Sequence, residues 1–492
     1  MKAWRRARVT AAVSLLLIGV CGGVAAGHRG QKMEAAVDEV FEDLTAPGSP
    51  GCALGVYRDG QIVYAKGYGL ANVEESVPIT PKSVFDIGST SKQFTAASIL
   101  LLEKQSKLSV NDDVRKYLPE LPDYGNKITI LHLLNHTSGL RDYLTLMELA
   151  GIHTDSVTTD QDALALIARQ RALNFAPGTE WLYSNTGFLL LSTIVKRVSG
   201  KTLREFATEN IFTPLGMAQT QYRDNHTSLI ANRALAYDAN EKNGGYTLNV
   251  SYFEQTGDGA VHSSVEDLLK WDENFYTGQI GGKIFLAELQ EHGRLNNGKV
   301  LDYAKGLNVA EYRGLHTVRH GGSWGGYRAE LLRFPDQHFS VACLCNVGNA
   351  NPARRANEVA DVYLASLMKA KDPKKELDAS RKKENSGPPL TAEQLQAYVG
   401  DFWSEELGVT YRLRIEDGNL KLTAVLDRAG LPRANNFLPN ELRHAGTDEF
   451  AIGRRSATLK FKRDGQSAAS EFVLDAGRTT GMTFTRLGTS AH

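Results

Sequence analysis

Ser89 and Lys92 form an S-x-x-K pair at the start of a segment rich in Ala and Leu. A serine hydroxyl is a weak nucleophile and needs a base close by. If Ser89 opens a helix, Lys92 lies one turn further along the same face, with its amine within reach of the hydroxyl. A lysine in a buried setting can act as that base, and the helix N-terminus would stabilise a developing oxyanion. The pair therefore predicts nucleophilic acyl transfer at Ser89.

The S-x-x-K spacing alone has little specificity, because it recurs at Ser366 and Ser380. Two further clusters add the context, Tyr183-Ser184-Asn185 and His320-Gly321-Gly322-Ser323. In this order the three clusters resemble the S-x-x-K, Y-x-N and K-T-G motifs of the serine β-lactamase and penicillin-binding-protein superfamily. The tyrosine in the second motif resembles the class C β-lactamase branch, with its DD-peptidases, D-aminopeptidases and esterases. FDIGSTSKQFTA, LLNHTSGL and GDGAVHSSVEDLLKW resemble the same family, over roughly residues 37–368.

The resemblance implies a role for each matching side chain. Ser89 would be the acylated nucleophile, and Lys92 and Tyr183 would share the general acid–base work. Asn185 would hydrogen-bond Lys92 and the substrate amide. Which of Lys92 and Tyr183 holds the proton at each step is left open by the sequence.

The third motif would supply backbone groups and one unusual side chain. The N–H groups of Ser89 and Ser323 would form the oxyanion hole, and Gly322 would let the strand approach the substrate. His320 stands where the family usually has Lys, and Gly321 where it has Thr. Since a histidine is partly neutral near pH 7, the sequence predicts weaker recognition of a substrate carboxylate and a pH-sensing role for His320.

Other residues offer competing interpretations. Arg319 and Arg328 are nearby cations that could replace the missing lysine. Ser323 also lies in a G-x-S-x-G run, but a nucleophile elbow needs a helix after it, and a strand is predicted there. His132 and His136 have i, i+4 spacing without a clear third ligand, which favours a packed or capping pair over a metal site. We expect no metal and no cofactor.

The composition is ordinary for a globular protein and argues against two other classes. Of 492 residues, 42% are hydrophobic and 23% charged, which suits a large core. Lys plus Arg and Asp plus Glu each number 56, so the formal net charge is zero. This balance argues against a nucleic-acid binder, which needs a cationic surface, and against disorder. The expected partner is a small-molecule or peptide substrate, with the oligomeric state left open.

Residues 1–26 have the pattern of a secretory signal peptide. A basic n-region precedes the apolar run Val9–Val20, and Val24-Ala25-Ala26 offers a small-residue cleavage site. The run is short for a bilayer, and no later segment reaches about 18 uncharged apolar residues. An exported protein, periplasmic or extracellular, is therefore predicted, with no membrane span beyond the signal peptide. Lipidation at Cys21, a twin-arginine signal and an uncleaved anchor remain alternatives.

Cleavage would leave Cys52, Cys343 and Cys345. Cys343 and Cys345 are two residues apart on a predicted strand, so they share a face and are badly placed to bridge each other. The pattern favours small buried core residues. A bridge from Cys52 to one of them would require adjacent strands.

Residues 27–372 are predicted to form the hydrolase domain. A helix over Met33–Leu44 precedes a hairpin over Pro50–Leu70, and the pattern is then mostly helical until about Trp271. Strands return over Lys305–Asn346. This order predicts an α/β fold of the β-lactamase/transpeptidase type, with an antiparallel sheet flanked by helices and a helical subdomain inserted between its two halves.

Residues 373–389 read as a charged linker, and residues 390–492 are all-β in pattern. Short alternating runs separated by Asp-Gly turns predict a closed antiparallel barrel. It resembles the lipocalin-like barrels that follow the catalytic domain in some D-aminopeptidases. Such a barrel could cover the mouth of the active site or bind a ligand.

Together these features predict an exported serine hydrolase that acts on amides or esters through a Ser89 acyl-enzyme. One alternative is a penicillin-binding regulatory protein that is acylated but turns over slowly or not at all. The other is a binding module whose function lies in the barrel. The presence of Ser89, Lys92 and Tyr183 together argues against the binding module. The sequence does not decide between a β-lactam, a D-amino-acid peptide, a muropeptide and an ester as substrate.

Overall fold

The computed structural model describes residues 31–240, 242–370, 390–425, 441–452, 457–465 and 467–488. The predicted signal peptide and linker lie outside these ranges. The strands of the larger, N-terminal part are, in chain order, β1 (Cys52–Arg58), β2 (Gln61–Tyr68), β3 (Leu70–Asn72), β4 (Val77–Pro78), β5 (Phe85–Asp86), β6 (Gln221–Tyr222), β7 (Tyr237–Ala239), β8 (Tyr246–Leu248), β9 (Val261–Ser263), β10 (Tyr303–Ala304), β11 (Leu307–Tyr312), β12 (Leu315–Trp324), β13 (Tyr327–Phe334) and β14 (Phe339–Cys345).

The C-terminal part contains β15 (Gly400–Ser404), β16 (Val409–Glu416), β17 (Asn419–Val425), β18 (Glu441–Gly446), β19 (Glu449–Ile452), β20 (Ala457–Lys462), β21 (Glu471–Ala476) and β22 (Thr479–Arg486). The helices are α1 (31–39), α2 (Lys92–Lys104), α3 (Ile130–Leu134), α4 (Tyr143–Leu149), α5 (Asp160–Ala168), α6 (Asn185–Ser199), α7 (Leu203–Ala207), α8 (Thr213–Leu215), α9 (Val265–Thr277), α10 (Lys283–Leu289), α11 (Pro352–Leu364) and α12 (Ala392–Gln396).

The central sheet has the antiparallel order β10-β11-β12-β13-β14-β1-β2. The first two strands of the chain thus join the later five, and the mostly helical segment lies between them in sequence. Asp59 and Gly60 both have positive φ and turn β1 into β2, as an Asp-Gly type I′ hairpin requires. The predicted α/β fold, with a sheet built from both ends of the region, is confirmed.

Helices cover both faces of this sheet. On one side Val37 and Phe41 pack with Val359 and Leu364 of α11 in a common apolar cluster. On the other side α9 packs against β1, and α2 and α6 pack against each other. α2 is buried all round from Lys92 to Leu100, which places the S-x-x-K segment at the centre of the molecule.

All three cysteines are buried, as predicted, and Cys52 and Cys345 are paired in a disulfide, the bridge that the sequence left open on the condition of adjacent strands. The residues stand directly opposite each other where β1 pairs with β14. Cys343 keeps a buried thiol. Sequence alone does not reveal that β1, the first strand of the sheet in chain order, lies beside β14, the last.

The predicted C-terminal barrel is confirmed as a closed ring of eight strands, β15 to β22. Alternate residues point inward, among them Phe402, Phe461, Phe472 and Phe484, whose rings pack 4.7–6.1 Å apart. These aromatic side chains fill the interior of the part that the structure describes. No helix within the described ranges combines the length and apolarity needed to cross a bilayer.

Candidate active site

Ser89 lies in a 3-10 turn, Gly88–Ser91, that leads directly into α2 at Lys92. The Lys92 amine is fully buried and has three neighbours. Its Nζ is 3.0 Å from Ser89 Oγ, 3.0 Å from Asn185 Oδ1 and 2.6 Å from the carbonyl oxygen of Asp258. Nζ donates to all three oxygens, and the two contacts to Asn185 and Asp258 fix the amine against the Ser89 hydroxyl.

The second motif stands at the N-terminus of α6. Asn185 is its first residue, and its backbone N–H donates to Asp142 Oδ2 at 2.6 Å. Asp142 also accepts from the N–H of Thr145 at the start of α4. One buried carboxylate therefore joins two helix N-termini and fixes the side chain that holds Lys92.

Tyr183 lies beside Lys92, with the ammonium nitrogen 4.9 Å from the ring centre. Among the residues that the structure describes, its buried hydroxyl has no hydrogen-bond partner. A phenol oxygen left unpaired next to the nucleophile and its lysine is free to exchange a proton with a substrate atom.

The third motif occupies the end of β12, which lies against the Ser89 turn. A Cβ on Gly322 would come within 1.9 Å of the Ile87 carbonyl oxygen, so only glycine allows this approach. Gly88 has a φ of +50°, and a Cβ there would lie 2.6 Å from Ser323 N. The turn thus packs closely on β12, with Ser323 N beside Gly88, the residue before Ser89, which suits the oxyanion hole predicted from the sequence.

His320 does not act as the predicted pH sensor. Its side chain is 4% exposed, and burial together with the charge of Lys92 lowers its pKa to about 3. Nδ1 donates to the Gly321 carbonyl at 2.6 Å and Nε2 accepts from the Tyr303 hydroxyl at 3.2 Å. Both ring nitrogens are used as a neutral imidazole would use them, so the expectation of titration between pH 5 and 8 is wrong.

The three motifs open onto one cavity of about 800 Å³. Its lining includes every predicted site residue except Lys92, namely Ser89, Tyr183, Asn185, His320, Gly321, Gly322 and Ser323. Lys92 lies beneath it and reaches it through Ser89 and Asn185. The cavity has room for a substrate of several residues.

Residues 37–365 match the family model described as Beta-lactamase. The chain belongs to the Beta-lactamase family. Penicillin-binding protein 4* of Bacillus subtilis (strain 168) is 29% identical over 429 residues, 84% of this chain and 90% of that protein. D-aminopeptidase of Gluconobacter oxydans (strain 621H) is 28% identical over 394 residues, 80% of this chain and 69% of that protein.

A solved structure agrees with this assignment. The octameric penicillin-binding protein homologue from Pyrococcus abyssi has a TM-score of 0.60 at 24% identity, over 93% of this chain and 99% of that one, and so shares its fold. With the family model and the D-aminopeptidase relatives, this identifies the chain as a serine hydrolase of the Beta-lactamase family.

The packing predicted for His136 is confirmed, but the sequence did not reveal that it packs against Tyr183 in the site. Its Nδ1 accepts from the backbone N–H of Ser184 at 3.2 Å, and its ring centre is 4.2 Å from that of Tyr183. Burial, with Lys92 as a further cause, lowers the pKa of His136 well below its ordinary value. It therefore supports the tyrosine as a neutral ring. Its positive φ of 57° at a non-glycine residue was not detectable from spacing. His132 caps α3 with Thr129, the other role predicted for the pair.

Two buried carboxylates near the nucleophile were also missed. Burial raises the pKa of Asp258 to about 6, with Lys92 opposing the rise, and Tyr143 donates to its side chain. Burial raises the pKa of Asp86 to about 6 as well, and its Oδ1 accepts from the N–H of Gly88. Asp86 thus holds the turn that carries Ser89. Neither residue belongs to a motif with a distinctive spacing.

Among the described residues, the grouping of Cys, His and carboxylate atoms compact enough to hold a metal is Cys52, Cys343 and Cys345. The disulfide uses the first and third of these sulfur atoms. This cluster therefore offers one thiol and is no metal site.

Proposed function

We propose that the protein is an exported serine hydrolase that cleaves amide or ester substrates through an acyl-enzyme on Ser89. The observation that carries this proposal is the 3.0 Å contact between Lys92 Nζ and Ser89 Oγ, with Asn185 and Asp258 holding the amine in place. A nucleophile with a positioned base is the arrangement that acyl transfer requires.

The chemistry balances with groups that the site contains. Ser89 Oγ bonds to the substrate carbonyl carbon, and its proton passes to the Lys92–Tyr183 pair. The carbonyl oxygen takes up negative charge against the N–H groups of Ser89 and Ser323. The pair then returns the proton to the departing nitrogen or oxygen as the bond from carbon to that atom breaks. Water then bonds to the acyl carbon and gives its proton to the same pair. The bond from that carbon to Ser89 Oγ breaks, the proton returns to Ser89, and the acid is released.

The relatives suggest that this protein acts on substrates built on D-amino acids. They include a D-aminopeptidase and a penicillin-binding protein, and we extend to this chain the broader class of D-amino-acid amides and peptides together with simple esters. His320 is neutral, so carboxylate recognition by the third motif is weaker here than a lysine would give.

Export is supported by two independent features. The N-terminal 26 residues have the composition of a secretory signal. The Cys52–Cys345 disulfide is of a kind that persists in an oxidising compartment and is rare in the cytosol. The periplasm or the extracellular space fits both. Fractionation of the producing cells, with N-terminal sequencing of the mature chain, tests this part of the proposal.

The catalytic proposal is tested by intact-protein mass after brief exposure to a penicillin, with a short-chain nitrophenyl ester assayed in parallel. Wild type and Ser89→Ala are compared, and Ser323→Ala serves as the matched serine control. Ester hydrolysis that is lost in Ser89→Ala and retained in Ser323→Ala supports the proposal. Activity that survives in Ser89→Ala contradicts it. A penicillin adduct that persists on wild type without turnover of any ester would instead indicate a regulatory penicillin-binding protein.

A further inference from the structure

The hairpin between β21 and β22 reaches from the barrel into the active-site cavity. Gly477, with a φ of +56°, turns the chain, and Arg478 follows it. Arg478 lines the same cavity as Ser89 and Tyr183. The barrel therefore contributes a cationic side chain to a site that is otherwise built from the hydrolase domain.

Several hydrogen bonds fasten this hairpin to the hydrolase domain. Asn174 Nδ2 donates to the Arg478 carbonyl at 2.9 Å, and Asn174 Oδ1 accepts from the N–H of Thr480 at 2.9 Å. Arg141 donates to the carbonyl oxygens of Thr480 and Gly481, each at 2.9 Å. With its backbone held on both sides, Arg478 is presented to the cavity from a fixed position.

The Arg478 guanidinium lies against the proton-transfer residues. Its carbon is 4.7 Å from the centre of the Tyr183 ring, the ring that Lys92 also approaches. Among the described residues its ion-pair partner is Asp142, whose Oδ2 lies 3.7 Å from Arg478 Nη1, beyond hydrogen-bond length. That oxygen already accepts from the Asn185 N–H. Within the described residues, the guanidinium N–H groups make no hydrogen bond and are available to a ligand.

The other basic side chains around the cavity each make at least one hydrogen bond or ion pair within the protein. Lys92 is held by its three neighbours. Arg328 donates to carbonyl oxygens of its own turn, and Arg223 donates to carbonyl oxygens of a neighbouring loop. His320 is neutral. Arg319, the other replacement considered from sequence, is paired with Glu330 at 2.8 Å. Of these groups, Arg478 is the one whose side chain makes no hydrogen bond at all within the described residues, its ion pair being the 3.7 Å approach to Asp142.

We propose that Arg478 recognises an anionic group, a carboxylate above all, on the leaving-group side of the substrate. The side follows from geometry, because a departing atom must lie beside the group that protonates it, and Arg478 contacts Tyr183. A planar guanidinium suits a carboxylate through two parallel hydrogen bonds. The charge missing from the third motif is thus supplied by the barrel. This inference rests on the proposed serine hydrolase function and specifies its substrate class.

Three acetate esters test the proposal, because they share one acyl group and differ in the leaving phenol. The phenol carries a meta carboxylate, a neutral meta carboxamide or a meta aminomethyl group. The measured quantity is the ratio of kcat/KM between charged and neutral esters, in which any general effect of a mutation cancels. The variants are Arg478→Gln and Arg478→Glu. Arg414→Gln is the matched control, since Arg414 is an exposed barrel arginine paired with Asp401.

In wild type we expect the carboxylate ester to be preferred over the carboxamide. Arg478→Gln should reduce this ratio by at least about tenfold, as loss of a charge-assisted hydrogen-bonded pair predicts. Arg478→Glu should shift the preference to the aminomethyl ester, and Arg414→Gln should behave as wild type. Ratios unchanged in both Arg478 variants overturn the inference while leaving the hydrolase intact. Absence of Ser89-dependent hydrolysis of all three esters overturns the proposed function itself.

Discussion

Arg141 and Glu406 form a buried ion pair between the hydrolase domain and the barrel, with Nη1 and Oε1 2.7 Å apart. The two side chains are only 1% and 11% exposed. Glu406 also accepts from the backbone N–H of Arg171 at 2.6 Å, and Arg141 holds the hairpin that carries Arg478. The pair therefore connects barrel docking to the geometry of the active site.

Removal of Glu406 should destabilise the protein and impair catalysis together. Glu406→Ala leaves the Arg141 charge buried without its partner, which costs about 3 kcal/mol in comparable pairs. The neighbouring Glu405–Arg171 pair is 68% exposed on both sides, so Glu405→Ala should have a much smaller effect. Thermal unfolding and kcat/KM measured on both variants check this. Equal, small shifts in Tm would show that the buried pair does not hold the barrel.

The two glycines of the third motif should respond differently to alanine. At Gly322 a Cβ meets the Ile87 backbone oxygen at 1.9 Å, so Gly322→Ala must displace the turn that carries Ser89. At Gly321 a Cβ meets Glu330 Oε2 at 3.0 Å, and this side-chain atom can move. We expect Gly322→Ala to lose about a hundredfold or more in kcat/KM, as loss of an oxyanion-hole donor does. Gly321→Ala should stay within about tenfold. Similar losses in both variants would contradict the close-approach argument.

His320 should affect the pH dependence of stability but not that of activity. Burial lowers its pKa to about 3 in the folded protein, below the ordinary histidine value of about 6.5. Between pH 6.5 and about 3 the unfolded chain therefore binds a proton at His320 that the folded protein does not. As the pH falls through this window, the residue lowers the free energy of unfolding by up to about 1.4 kcal/mol per pH unit. His320→Gln should flatten this part of the denaturation curve. Its kcat/KM profile should keep the wild-type shape between pH 5 and 8, and a wild-type inflection that disappears in the variant would contradict a neutral His320.

Local patterns predicted much of the fold and of the catalytic centre. Ser89 and Lys92 are three residues apart, so one turn of chain determines their contact. Asp59-Gly60 and Asp417-Gly418 specify hairpins through two residues each, and both take the positive φ that this turn needs. Where a motif is contained in one element, its residue types and spacing carry the necessary information.

Contacts between segments that are distant in the sequence could not be predicted from local patterns. Arg478 follows an ordinary Ala-Gly turn in the barrel, and nothing in its spacing indicates Tyr183 as a neighbour. The low pKa of His320 arises from burial and from Lys92, two consequences of packing. Cys52 and Cys345 meet because β1 lies beside β14. Each of these features depends on tertiary arrangement, which a single sequence specifies only through the whole fold.

The Cys52–Cys345 disulfide should contribute substantially to stability. The bond joins residues 293 positions apart and so restricts a large loop of the unfolded chain, an effect of about 2–5 kcal/mol in natural proteins. The double variant Cys52→Ala/Cys345→Ala should have a markedly lower Tm than wild type, and wild type unfolded in the presence of a reductant should behave similarly. Cys343→Ala is the matched control, since it removes a buried thiol from the same cluster without breaking the bond. A Tm that is insensitive to reductant, or equally lowered in the control, would show that packing rather than the bridge stabilises the β1–β14 pair.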